Sequence, residues 1–190
     1  MAKKPKRGSE KSAARARTAR RLDALYATLP KLECKGLCAH SCIPITVAPE
    51  ERNRIRREHG VELPEADELF AQGCTTCVAL QDGRCSVYDA RPMICRLWGI
   101  DETMRCPHGC IPEGGWLPLL ESHRLTLKTY LIAGWPAAME PMTPQQVANH
   151  LRSDETREFL EQARDRIFAE EQAKKQKRRF ARWGRRSRTR

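Results

Sequence analysis

Nine cysteines crowd between positions 34 and 110 of a 190-residue chain, and the flanks of 33 and 80 residues hold none. This segregation says that one compact region needs thiolates, and it constrains the fold more than any other feature. The densest stretch is Cys77 to Cys95, CVALQDGRCSVYDARPMIC, with Asp82-Gly83 as a turn signal and Arg91-Pro92 as a stop. Upstream stand Cys34, Cys38 and Cys42, with Cys74 just ahead of Cys77; downstream stand Cys106 and Cys110. An odd count leaves one thiol over in any pure disulfide framework. The N-terminus is basic, but no apolar run follows it, so no secretory signal is read. No run approaches the roughly 18 apolar residues that suggest a spanning helix. The expectation is a cytoplasmic chain, off the membrane and in a reducing compartment. Clustered cysteines there hold metal more often than they form bridges.

The net charge of +11 is spread unevenly. Residues 1–21 carry nine Lys or Arg against one Glu, and residues 174–190 carry ten and no acid. The body between them is therefore mildly acidic. Three parts are expected: a basic, largely disordered N-terminal tail at 1–21, a cysteine-cluster metal-binding domain with C-terminal helices at 22–173, and a basic disordered tail at 174–190. The tails are either solvated ends or arms that reach nucleic acid or another polyanion. No protein partner is legible.

Taken in order, residues 1–10 read as disordered, and from Ser12 the apolar spacing of Ala13, Ala16, Ala19, Leu22, Leu25 and Tyr26 predicts an amphipathic helix that stops before Pro30. Cys34, Cys38 and Cys42 follow at spacings of four, so three sulfurs converge whether the segment is helix or loop. Thr46, Pro49, Glu50 and Glu51 read as a helix start, and Gly60 as its stop. A short helix is expected from Pro64 to Gly73. Cys74-Thr-Thr-Cys77 fits zinc, an iron–sulfur cluster or a redox pair, and the redox pair lacks the strand and helix it needs. Val78–Leu80 and Ser86–Tyr88 flank the Asp82-Gly83 turn as a hairpin that brings Cys77 beside Cys85. A short helix with proline in its first turn carries Cys95, and Arg91 either ties the turn to the body by a salt bridge or binds substrate. Cys106-Pro-His-Gly-Cys110 is a turn that suits a chelating knuckle and, with Cys74, could complete a second site. Residues 116–133 are expected to be an apolar helix that covers the cluster, and Thr143-Pro144 and Ser153-Asp154 start two more helices.

The string C-x-a-L-x-x-G-x-C-S-V-Y-x-x-R-P-x-x-C-R, with cysteines some 35 residues ahead of it, resembles the YkgJ-type cysteine-cluster family. The positions that carry the likeness are Cys77, Leu80, Gly83, Cys85, Tyr88, Arg91, Pro92, Cys95 and Arg96, within residues 34–98. The upstream group departs from the family's C-x-x-C-x-x-C-C, being C-x3-C-x3-C, and Cys74, Cys106 and Cys110 fall outside the motif. The resemblance implies a zinc- or iron-chelating domain. A related cluster in flagellin lysine N-methylases adds a link to protein modification, although no glycine-rich loop for a methyl donor is visible. Three function classes stand: a metal-binding protein with a structural or redox-active metal, a component of lysine methylation, and a nucleic-acid-associated protein. The cofactor is an iron–sulfur cluster or Zn2+, and all nine cysteines are candidate ligands. Many thiols with few histidines tilt the choice toward iron–sulfur. No general base or nucleophile stands out, and whether the chain is an enzyme stays open. The fold class is mainly α, with an irregular metal-stapled core and room for a small α+β element.

Overall fold

The computed structural model describes residues 7–186. Seven α-helices and one two-stranded sheet make up the regular structure there: α1 (Arg7–Tyr26), α2 (Pro49–His59), α3 (Ala66–Ala71), β1 (Leu80–Gln81), β2 (Arg84–Cys85), α4 (Met93–Leu97), α5 (Leu119–Ala133), α6 (Pro144–Arg152) and α7 (Asp154–Arg186). The class is mainly α with a small sheet, as the sequence suggests.

Helix α5 is the hub, packing on α1, α2, α4, α6 and α7. Its buried face is built from Ser122, Leu125, Thr129 and Ala133, spaced three and four apart so that they share one stripe. Leu22 of α1 meets Ala48 and Ala133 in one apolar cluster. Met93, Leu97, Ile100 and Leu125 form a second, joined by Leu25, Leu29 and Leu32. A third lies under the hairpin and joins Val47, Ile55, Leu63, Ala79, Val87 and Ala90.

Local signals explain most boundaries. Pro49 sits in the first turn of α2 with Glu50 and Glu51, and Gly60 ends the helix in the left-handed region at φ 67°. The residue that caps α2 is Ala48, one step before the proline, and not Thr46. Thr143 and Gln146 form a reciprocal capping box at the start of α6. Asp82 (φ 47°) and Gly83 (φ 73°) are both left-handed, the geometry of the turn that matches strand twist, and they close the hairpin with Leu80 opposite Cys85. The first strand ends one residue nearer the turn than Val78–Leu80, and the second starts two residues nearer than Ser86–Tyr88.

Two expectations are corrected. The N-terminal helix starts at Arg7, five residues ahead of Ser12, and the C-terminal tail expected to be disordered is helical over 174–186, because α7 runs to Arg186. Ala, Lys, Arg, Gln and Glu all favour helix, and each arm grows from a packed stretch that supplies the costly nucleus. The disorder expected at 1–6 and at 187–190 lies outside the described residues. Second, α5 does not cover Cys77 and Cys85. It packs against the Met93 and Leu97 side of α4, while Cys77 and Cys85 lean on the cluster of Val47, Ile55 and Val87.

Candidate metal centre

The thiols come from several pieces of local structure. The segment from Cys34 to Cys42 is not an α-helix: Gly36 turns at φ 68°, and a single 3-10 turn spans Ala39–Ser41. The backbone N–H of Cys77 donates to the carbonyl of Cys42 at 3.0 Å, which stitches the two loops together. The hairpin then returns Cys85 to the neighbourhood of Cys77. Cys95 is the third residue of α4, two positions from each of the buried Met93 and Leu97, and so lies on the helix's other face. All nine sulfurs are unbridged.

The nine thiols form two groups that meet where Cys38 neighbours Cys42, with Cys74 beside Cys77. In the first group, Cys42, Cys77, Cys85 and Cys95, each of the six pairs is close enough for the two charges to repel. Burial, reinforced by these neighbours, pushes the thiol of Cys95 up to about 12. Cys42 is raised too, first by burial and then by Cys77, Cys85 and Cys38, and Cys77 is raised by burial, with Cys85 and Cys74 adding to it against the Ala79 and Leu80 N–H groups. Crowded thiols of which Cys42, Cys77 and Cys95 resist ionisation are what a bound cation would relieve, since metal binds the thiolate and displaces its proton. The Arg91 guanidinium lowers the cost of negative charge on Cys42 and Cys95.

The second group is Cys34, Cys38, Cys106 and Cys110, linked in that order by charge or hydrogen bonding. Burial opposes ionisation of Cys106. The N–H groups of Cys110 and His108, the Cys110 thiol and the Lys35 ammonium outweigh it and hold Cys106 below its ordinary value. Cys110 is buried and Cys34 exposed. Cys74 stands apart: its Sγ donates to the carbonyl of Thr76, and the one thiol it influences among those named here is Cys77. It is therefore a neighbour of Cys77 in the first group. Within the trio, Cys38 neighbours both Cys34 and Cys42, while Cys42 also joins Cys77, Cys85 and Cys95.

The side chains as they stand are neighbours and not yet ligands: no three His, Cys, Asp or Glu among the described residues share space for one ion. The donor set fits a thiophilic metal by its chemistry, all sulfur and with a cation beside it, and χ1 rotation between staggered wells is the motion that would close it.

The Tyr-x-x-Arg-Pro-x-x-Cys-Arg string has a physical account. The Arg91 guanidinium stacks on the Tyr88 ring at 3.5 Å, and its Nε donates to the Tyr88 carbonyl at 2.9 Å. Among the described residues no carboxylate pairs with Arg91, so the salt bridge read from sequence is replaced by a stack. Pro92 caps α4. Arg96 donates to the carbonyls of Arg91 and Asp89 at 2.7 and 2.6 Å, and so locks the turn that presents Cys95. Lys35 and the buried Trp98 indole beside Cys38 are contributors to which no spacing pointed.

Comparison with curated proteins gave no match, and comparison with solved structures gave none. A family comparison did: residues 33–111 match the family CxxCxxCC, described as "Putative zinc- or iron-chelating domain". That span takes in all nine cysteines, including Cys74, Cys106 and Cys110, which the motif alone left outside. By this match residues 33–111, with their crowded thiols, are similar to a family described as a zinc- or iron-chelating domain.

Proposed function

We propose that the chain holds an iron–sulfur cluster through Cys42, Cys77, Cys85 and Cys95. The observation that carries this reading is the completeness of the group: all six pairs among four thiols from four separate pieces of local structure are electrostatic neighbours. Four cysteines and no histidine suit all-thiolate ligation of a cubane. Such a cluster supplies a one-electron redox centre or a covalent cross-link between loops. The chain's own residues do the rest. The Asp82-Gly83 turn sets Cys85 beside Cys77, Glu51 and Arg96 fix the helix that bears Cys95, and Arg91 offsets the negative charge of the ligated thiolates. The apolar cluster of Val47, Ile55, Val87 and Ala90 shields one side of the group from water.

Elemental analysis and a visible absorption spectrum of anaerobically purified full-length protein test this. Iron with acid-labile sulfide and a broad visible band is the expected result, and Cys95→Ser should bleach that band. A colourless, folded protein with stoichiometric zinc would correct the metal and keep the ligands. Neither metal, with all nine thiols titrating free, would refute metal binding altogether.

A further inference from the structure

Helix α1 carries positive charge that the rest of the molecule does not answer. It runs antiparallel to α2, with Tyr26 bonded to Glu51 and Asp23 paired to Arg54. The same alignment brings Arg57, near the end of α2, beside the N-terminal half of α1, where an open groove of about 480 Å³ lies between the two helices. Its lining is Lys11, Ser12, Arg15, Ala16, Ala19 and Arg57. Three of these are cations, the other three are small, and none is acidic or aromatic.

The arginines of α2 all pair with carboxylates: Arg52 with Glu65, Arg54 with Asp23 and Glu58, Arg56 with Glu62, and Arg57 with Glu50. The cations of α1 do not. Among the described residues no ion pair reaches Lys11, Arg15, Arg17, Arg20 or Arg21. Every residue from Glu10 to Arg17 is exposed. Like charges that converge on one concave surface repel each other, and they concentrate the anions that relieve the repulsion. A solvated helix face accounts for cations scattered around α1. It does not account for cations from two helices that line one groove.

The lining also selects the anion. It has no aromatic ring on which an unpaired base could stack. It has no bulky apolar side chain to enter the acyl layer of a membrane. The chemistry that remains is contact with regularly spaced phosphates. We propose that the groove between α1 and α2 is a docking surface for the phosphate backbone of double-stranded nucleic acid, held by Lys11, Arg15 and Arg57 without readout of sequence. This inference goes beyond the metal reading and does not depend on it.

Fluorescence anisotropy of the full chain as purified, with labelled DNA and RNA duplexes of random sequence, reads affinity against salt. Binding should weaken steeply as salt rises from about 50 to 200 mM. Each phosphate contact on duplex DNA contributes about 0.9 to the slope of log affinity against log salt, so Lys11→Gln/Arg15→Gln should flatten that slope by about 1.8. Arg17 and Arg21 do not line the groove and, at about 100° per residue, fall on the far side of α1. Arg17→Gln/Arg21→Gln removes the same charge and should leave the slope near that of wild type. Equal flattening by the two double variants would reduce the groove to bulk charge and overturn the inference. Failure to bind either duplex also overturns it, as does binding to phosphatidylserine vesicles in preference to both duplexes.

Discussion

Glu51 is the residue on which the geometry of Cys95 turns. It is 3% exposed, yet its carboxylate accepts two hydrogen bonds from other elements: the hydroxyl of Tyr26 in α1 and, at 2.7 Å, the backbone N–H of Met93. Met93 is the first residue of α4, and Pro92 before it offers no side-chain cap. A carboxylate from a distant helix therefore serves as the N-cap of the helix that bears Cys95. Burial raises the carboxyl of Glu51 above its ordinary value against those hydrogen bonds. Glu51→Ala leaves a buried hydroxyl and a buried N–H without an acceptor and should cost about 2–4 kcal/mol in urea unfolding of the metal-free chain. Glu51→Gln keeps one acceptor oxygen and should cost about 1 kcal/mol. Equal losses for the two variants would show that the acceptor role is not what matters.

At the scale of elements, the hairpin and the α5–α6 junction each make a prediction. No atom lies within 4 Å of where a Cβ would stand at Gly83, so Gly83→Ala is a test of backbone conformation alone. Holding a non-glycine residue left-handed costs about 1 kcal/mol. The variant should unfold more easily by that amount and should release metal to a chelator faster, because the turn sets Cys85 against Cys77. Unchanged release would detach the turn from the site. The second element test is a histidine latch. His123 of α5 and His150 of α6 meet through their Nε2 atoms at 3.2 Å, and His150 Nδ1 meets the Thr156 hydroxyl of α7 at 3.1 Å. Burial and then His150 hold His123 below the ordinary imidazole value. A histidine depressed in the folded state binds fewer protons there than when unfolded, so its stabilising effect is present above the ordinary imidazole value and is lost as pH falls through the depressed one. Amide exchange in α6 should therefore quicken as pH is lowered from 7 to about 5, after correction for intrinsic exchange. His123→Phe should remove that dependence.

At the scale of the whole molecule, the chain is a packed body with two basic helical arms. Every residue from Gln172 to Ala181 is exposed, Phe180 included at 62%. Lys174, Lys175, Lys177, Arg178 and Arg179 lie in this stretch with no acid among them. Truncation after residue 173 should therefore leave metal content and thermal unfolding unchanged. If the arm meets a polyanion, the full chain should elute from heparin at higher salt than the truncated one, since each neutralised phosphate or sulfate releases counterions. Equal elution would mark the arm as a solubilising end. No helix among the described residues is long and apolar enough to cross a membrane.

How much of this was legible in the chain differs from residue to residue. Pro49, Gly60, Thr143 and the Asp82-Gly83 turn mark their boundaries because each acts through its own backbone or its near neighbours. The segregation of the cysteines marked one thiol-rich region for the same reason, since composition needs no folding to be read. Basic composition misled over residues 7–10 and 174–186, because charge says solvated while the helix propensity of the Lys, Arg, Gln and Ala residues says ordered. Sequence alone could not divide the nine thiols. The division depends on the bond from the Cys77 N–H to the Cys42 carbonyl, on the close approach of Leu32 to Gly99 and on Glu51 reaching Met93, contacts across 35, 67 and 42 residues of chain from residues 42, 32 and 51. Spacing fixes which thiols can turn to one side of a single element. Only the packing of distant segments decides which thiols meet.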